Sequence, residues 1–215
     1  MRHPRAFTLI ELIVSLTIFT LFVGVIASTF IVMSRSLQQA NEVRKVYTEA
    51  RGLMDRLTQD IRLYTLDYDC YEDSQNATLD LLECENRQID GGNGETLFLA
   101  LISPDGMERV MYDFDDVDQE VQILKWDFDG TDWVRADGFY SGWQTLDTEL
   151  VEVRQLIFHV APLVSSYENG RHAGAQFQPS VQIYLEAGSS VSRFGELHSV
   201  ELQSAVSSRV YSVSF

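Results

Sequence analysis

From Phe7 to Met33 the chain is apolar almost without interruption, and Glu11 is the one charged residue in the run. About 20 apolar residues cross a bilayer, whereas a signal-peptide core has roughly 7–15, so the run predicts a retained transmembrane helix. Beyond Met33 the pattern does not stop but turns amphipathic. Val43, Tyr47, Ala50, Met54, Leu57, Ile61 and Tyr64 recur every three or four residues, with Arg44, Lys45, Glu49, Arg51, Arg56 and Arg62 off that stripe. Such spacing predicts that the same helix continues to about residue 66 and lays one face on the chain's own sheet. A coiled coil is the other reading of the stripe.

After residue 95 the period falls to two. Runs at 96–102, 109–114, 120–126, 132–136, 152–161, 180–187, 196–206 and 209–215 predict strands. A long helix followed by consecutive strands makes the fold class α+β, one long N-terminal helix packed on an antiparallel β-sheet head. Residues 67–95 form the connection, and their "GGNG" at 91–94 reads as a turn cluster. It is not a phosphate loop, because no Lys-Ser/Thr follows and no helix pattern begins there. The organisation expected is a leader at 1–6, a transmembrane helix at 7–33, its amphipathic continuation at 34–66, an acidic connection at 67–95 and a β-rich head at 96–215.

Charge changes this picture in one respect. The chain carries a net charge of −16, and between Asp67 and Leu150 stand 22 acidic residues against four basic ones, Arg87, Arg109, Lys125 and Arg135. A surface of that sign repels phosphate backbones, so no nucleic acid is expected on the acidic head region. The two cysteines, Cys70 and Cys84, lie close together in the acidic connection. With a membrane-directed N-terminus, a disulfide closing this loop is the expected reading, and a pair of free thiols the alternative. Neither belongs to a CxxC pair or has a histidine near it in sequence, which argues against a metal site.

Catalytic patterns are missing from the sequence. His3, His159, His172 and His198 are scattered, and neither His-Glu-x-x-His nor Gly-x-Ser-x-Gly occurs. The clearest ligand-like cluster is "DFDGTDW", where Asp127, Asp129 and Asp132 surround Gly130, and "DFDDVD" at 113–118 is weaker. Calcium takes several hard oxygens on a tight turn. Here, however, glycine comes at the fourth position rather than the sixth and no bidentate glutamate follows at the twelfth, so a solvated hairpin turn is the competing reading. No other cofactor is expected.

Glu11 then needs a reason. A charged side chain at the bilayer centre costs about 2.5–3.5 kcal/mol and usually marks function. Its surroundings, "RAFTLIELIVSLTIF", closely resemble the N-terminus of class III prepilins, the precursors of type IV pilins and type II secretion pseudopilins. The resemblance implies cleavage between Ala6 and Phe7 by a prepilin peptidase and N-methylation of Phe7. It also implies a pilin-like fold and assembly with other minor and major pilins or pseudopilins. Glu11 becomes the fifth mature residue, whose carboxylate pairs with the Phe7 amine of a neighbouring subunit, each charge offsetting the other's desolvation. Two departures stand out: Ala6 occupies the position before the cut where glycine is usual, and Ser28 stands where major pilins often carry a helix-bending proline. Arg2 and Arg5 favour a cytoplasmic N-terminus, which places a single-pass protein in the inner membrane with its head outside the cytoplasm.

A looser resemblance covers the remainder. "LMDRLTQDIR" (53–62), "LVEVRQLIFHV", "PSVQIYLEA" and "LHSVELQSAVSSR" are similar, in that order, to segments of J-type minor pseudopilins and the related W-type minor pilins. The function expected is a low-copy structural subunit that starts or tips a pilus-like filament, J-like in type II protein secretion, and not an enzyme. The alternatives are a W-type minor pilin of a motility or DNA-uptake pilus and, outside the family, a membrane-anchored extracytoplasmic enzyme or binding domain.

Overall fold

A computed structural model of the chain describes residues 8–71, 84, 93–146, 151–163, 178–189 and 199–208. The chain divides into two compact units, residues 1–44 and 45–215, and one helix, α1 (Leu9–Leu63), runs through the first and into the second. In the first unit α1 leaves its apolar side chains exposed, Leu9 at 79 % and Phe30 at 71 % among them. In the second unit α1 buries Val46, Ala50, Met54, Leu57 and Ile61. The stripe therefore enters the core at Val46, four residues before Ala50, and not at Tyr47, which stays 43 % exposed.

Among its described residues the second unit also holds two antiparallel sheets rather than one. The first contains β1 (Thr65–Leu66), β3 (Phe98–Ile102), β4 (Glu108–Asp115), β5 (Glu120–Phe128) and β6 (Trp133–Arg135) in that spatial order, with β7 (Gln144–Thr145) also on β5. The second runs β10 (Ser199–Ser207), β9 (Ser180–Ser189), β8 (Val151–Ala161) and β2 (Glu95–Thr96). The division falls inside the apolar run at 96–102. Glu95 and Thr96 pair with His159 and Phe158 of β8, whereas Phe98 to Ile102 pair with β4. Between them Thr96 turns its own hydroxyl onto the Phe98 N–H at 3.1 Å, so the chain leaves one sheet and enters the other across a single residue. Just before it, Gly94 has φ +74°, and a Cβ there would stand 2.7 Å from the Val160 carbonyl oxygen. Only glycine fits that turn. Residues 91–92, 196–198 and 209–215, expected from the sequence to be turn or strand, lie outside the described residues.

Register decides what each face of the first sheet meets. Opposed residues of an antiparallel pair share a face. Tyr112 opposite Ile123 and Glu108 opposite Asp127 therefore lie on one side of the sheet, and Arg109 opposite Trp126 on the other. Helix α1 takes the first side: the Tyr112 hydroxyl donates to the Asp60 carboxylate, and the Tyr64 hydroxyl donates to Glu108 at 2.9 Å. Aromatic side chains from beyond the C-terminus of α1 gather on Phe98 of β3. The ring of Tyr71 meets Phe98 edge-on at 6.0 Å, and Trp143 meets it at 6.4 Å. In the second sheet Leu156, Phe158, Val160, Val181, Ile183 and Leu185 are buried and continuous with the same core. A bulge between Val153 and Gln155 keeps the alternation in step, so that Val153 and Leu156 both point inward.

Candidate functional site

At the start of α1 the chain places one acid among hydrocarbon. Thr8 caps the helix: its hydroxyl oxygen accepts the Glu11 N–H at 3.3 Å, and its carbonyl accepts the same N–H at 3.1 Å and that of Leu12 at 3.3 Å. Thr-x-x-Glu is the sequence of a capping box, with Glu11 in the first turn, where the helix dipole favours a negative charge. Sequence reasoning missed this local role, although it is legible as a spacing. The hydroxyls of the span are satisfied within the helix. Ser15 donates to the Glu11 carbonyl at 2.7 Å, Thr17 to Ile13 at 2.9 Å, Ser28 to Val25 at 2.8 Å and Thr29 to Val25 at 2.9 Å. That is how polar side chains are tolerated at membrane depth. Among the described residues α1 is the one helix long and apolar enough to cross a membrane. Glu11 is left as the single ionisable group on an otherwise apolar, exposed surface. Ala6 and Phe7, the residues of the cleavage junction, lie outside the described residues.

Where α1 ends, a second polar constellation holds the chain to the sheet. Asp67 is fully buried, its carboxylate 2.9 Å from Arg109 Nε. The Arg109 guanidinium in turn lies over the Trp133 ring, 4.5 Å from its centroid. This pair is not ideal. The Arg109 N–H is not aligned on the carboxylate as a hydrogen bond, and Arg109 Nη1 and Trp126 Nε1 are buried without a hydrogen-bond partner. Burial lifts the Asp67 carboxyl to about 6, outweighing the pull of Arg109 in the other direction. The Asp67 carbonyl accepts the Cys70 N–H at 3.3 Å at the start of a 3-10 turn, Tyr68–Cys70. Cys70 and Cys84 are joined in a disulfide with Cα atoms 5.2 Å apart, and both are buried. Next to it the Tyr71 hydroxyl accepts the Ala100 N–H at 2.7 Å and donates to the Phe98 carbonyl at 3.2 Å. One phenol thus serves two backbone groups on the edge of β3 where β1 has ended. The sequence carried no signal for either role, since both depend on partners about 30 residues or more away.

The aspartates of "DFDGTDW" are not gathered around a common point. One Asp129 oxygen accepts the Thr131 N–H, the Thr131 hydroxyl and the Asp132 N–H, each at 2.8 Å, and closes the β5–β6 turn. Those bonds hold its carboxyl below the usual range. Asp127 sits on β5 opposite Val134 of β6 and Glu108 of β4. Among the described residues no three His, Cys, Asp or Glu side chains are placed to hold a metal. Asp129 thus serves the hairpin turn that was the competing reading of this segment. His159 stands opposite Glu95 and Gln182 on the outer side of the second sheet, away from the buried face. His172 and His198 lie outside the described residues.

Compared with known proteins, residues 1–27 match the family model of the prokaryotic N-terminal methylation motif. No curated protein and no solved structure matches the chain.

Proposed function

We propose that this chain, whose first 27 residues carry the class III prepilin signal of the type IV pilin and pseudopilin family, is a minor subunit of a pilus-like filament. It is a low-copy structural protein that starts or tips the filament, J-like, and serves type II protein secretion. A prepilin peptidase removes "MRHPRA" and the new Phe7 amine is methylated. The protein waits in the inner membrane by α1, head outward, and joins other pilins or pseudopilins. The observation that carries the reading is a lone acid, Glu11, at the start of a helix that stays uncharged from Leu12 to Ser34. The order of the segments at 53–62 and in β8, β9 and β10 supports the J-like assignment. Subunits with this motif are structural, and the polar clusters in the head have structural work to do.

The physical role of Glu11 follows from desolvation. Its carboxylate and the Phe7 amine of an adjoining subunit are each costly in hydrocarbon when alone, and each offsets the other when the helices are in register. Glu11→Gln tests this. The amide keeps the N3 position of the cap and is cheaper to bury, so insertion and cleavage should persist. Crosslinking to filament partners should fall, because the partner amine loses its counter-charge. Normal crosslinking by a fully processed Glu11→Gln protein would remove Glu11 as the register device.

A further inference from the structure

We propose that β10 is a docking edge, to which another subunit of the filament adds an extended segment as the next strand of the second sheet. Among the described residues no strand pairs with β10 on the side away from β9. The source of the added strand, a filament subunit, rests on the function proposed above; the edge itself does not. The outermost strands of the two sheets differ sharply. β1, β2 and β7 have two residues each and β6 has three. β8, which β2 covers only at Phe158 and His159, carries its bulge in the uncovered part. Short strands and bulges protect an edge from unwanted pairing, as do lysine and proline on it. β10 has none of these. Its nine residues run without a register shift, and Glu201 is their one charge.

The hydrogen-bond ladder fixes what this edge accepts. The Ser208 N–H donates to the Pro179 carbonyl at 3.1 Å, which continues the β10–β9 ladder by one pair. Bonded pairs alternate along an antiparallel ladder. Val200, Leu202, Ser204 and Val206 therefore bond to β9, while Ser199, Glu201, Gln203, Ala205 and Ser207 turn their N–H and C=O groups outward. A regular row of donors and acceptors is matched by an extended backbone.

Side chains narrow the choice of strand. Apolar rows cross the sheet from β8 through β9 to β10, among them Leu156, Leu185 and Leu202, and Val153, Ala187 and Val200. The first two members of each row are buried, whereas Leu202 and Val200 are only half-buried. A further strand with apolar residues on that side continues both rows. On the other side Glu201 is exposed and stands opposite Glu186. Arg154 lies 3.8 Å from Glu186, but no cation pairs with Glu201 among the described residues. The incoming strand therefore alternates apolar with polar residues and sets a lysine or arginine beside Glu201. One edge takes one strand, which suits a low-copy subunit.

The test uses the full-length chain in detergent and a capped peptide, Lys-Val-Thr-Val-Gln-Val-Lys-Val-Lys. Set antiparallel on β10, it lays its valines beside Val200, Leu202, Ser204 and Val206 and a lysine beside Glu201. In the dilute lone chain the Glu201, Gln203 and Ala205 amides should exchange rapidly. The peptide should protect them with a Kd below about 1 mM, and the same peptide N-methylated at every backbone amide should not. Gln203→Pro removes an outward N–H and no bond to β9, so the chain should fold while binding falls about tenfold or more. Glu201→Lys should weaken binding about threefold, and a peptide with glutamate in place of the facing lysine should recover it. Amides already protected in the dilute chain would mean that the chain covers its own edge, and protection that grows with its concentration would name a second copy. Either result overturns the proposal, as do no binding by the peptide, equal binding by its N-methylated form, or unchanged binding by folded Gln203→Pro protein. If the peptide docks as described but Met1 is retained in cells, the filament-subunit reading fails and the docking edge stands.

Discussion

Asp67 and Arg109 are buried together, and removing either strands the other. Replacing Arg109 by methionine keeps bulk over Trp133 but removes the counter-charge, which should cost about 3–5 kcal/mol at pH 7. The sign of its pH dependence follows from the lifted carboxyl, at about 6 in the folded chain against 3.8. The folded state binds that proton more tightly than the unfolded chain. The stability it brings is fully present below about 4 and is lost as pH rises through 6. Without Arg109 the folded-state value climbs further, so the Arg109→Met deficit should shrink between pH 7 and pH 5. Thermal unfolding of both proteins at the two pH values measures it, and a deficit that stays constant would show that Asp67 is not the stranded group. Tyr71→Phe is a cleaner deletion. It leaves the ring on Phe98 and removes the hydroxyl that serves Ala100 and Phe98, with an expected loss of about 1–3 kcal/mol. Hydrogen exchange at the Ala100 amide should accelerate, and unchanged exchange would mean that water takes over the bond at no cost.

At the scale of elements, α1 carries two different surfaces on one continuous helix. Its apolar run and its later stripe were legible because a period of 3.6 residues shows through any composition. The exact entry of the stripe into the core was not, since Tyr47 and Val46 are both apolar and differ only in which is turned toward the sheets. Leu57→Ala should cost about 2–5 kcal/mol, while Tyr47→Ala should stay within about 0.5 kcal/mol, both by urea unfolding in detergent. Equal losses would return Tyr47 to the core. The disulfide constrains the segment after α1, and in the chain-entropy account a loop of this length contributes about 3 kcal/mol. Replacing Cys70 and Cys84 by serine together should lower stability by about that amount. Both cysteines should resist alkylation until a reductant is added.

For the molecule as a whole, the decisive event is at its N-terminus. Protein extracted from membranes that contain a prepilin peptidase should begin at methylated Phe7. A bulky residue in place of Ala6 should leave the precursor intact. Intact Met1 in such cells would sink the filament-subunit reading, and the head would then need another explanation for its anchor. The acidic excess of the head needs none from stability. Glu108 opposite Asp127 and Glu186 opposite Glu201 place like charges directly across strand pairs, an arrangement that costs rather than supports the fold.

Several properties were determined by the sequence alone: the membrane-length helix, its continuation, the strands after it and the charged residue at the helix start. All four are local, set by the run, period or spacing of residues within about a dozen positions. The division of the strands into two sheets was decided only in three dimensions. Residues 96–102 read as one strand in the sequence, but Gly94 must pass close to Val160, and Thr96 turns the chain from one sheet into the other. The same holds for the buried pair of Asp67 with Arg109 and for the Tyr71 hydroxyl on the edge of β3. In each case the outcome depends on which atoms folding brings within about 3 Å of one another, and nothing local in a sequence encodes that distance.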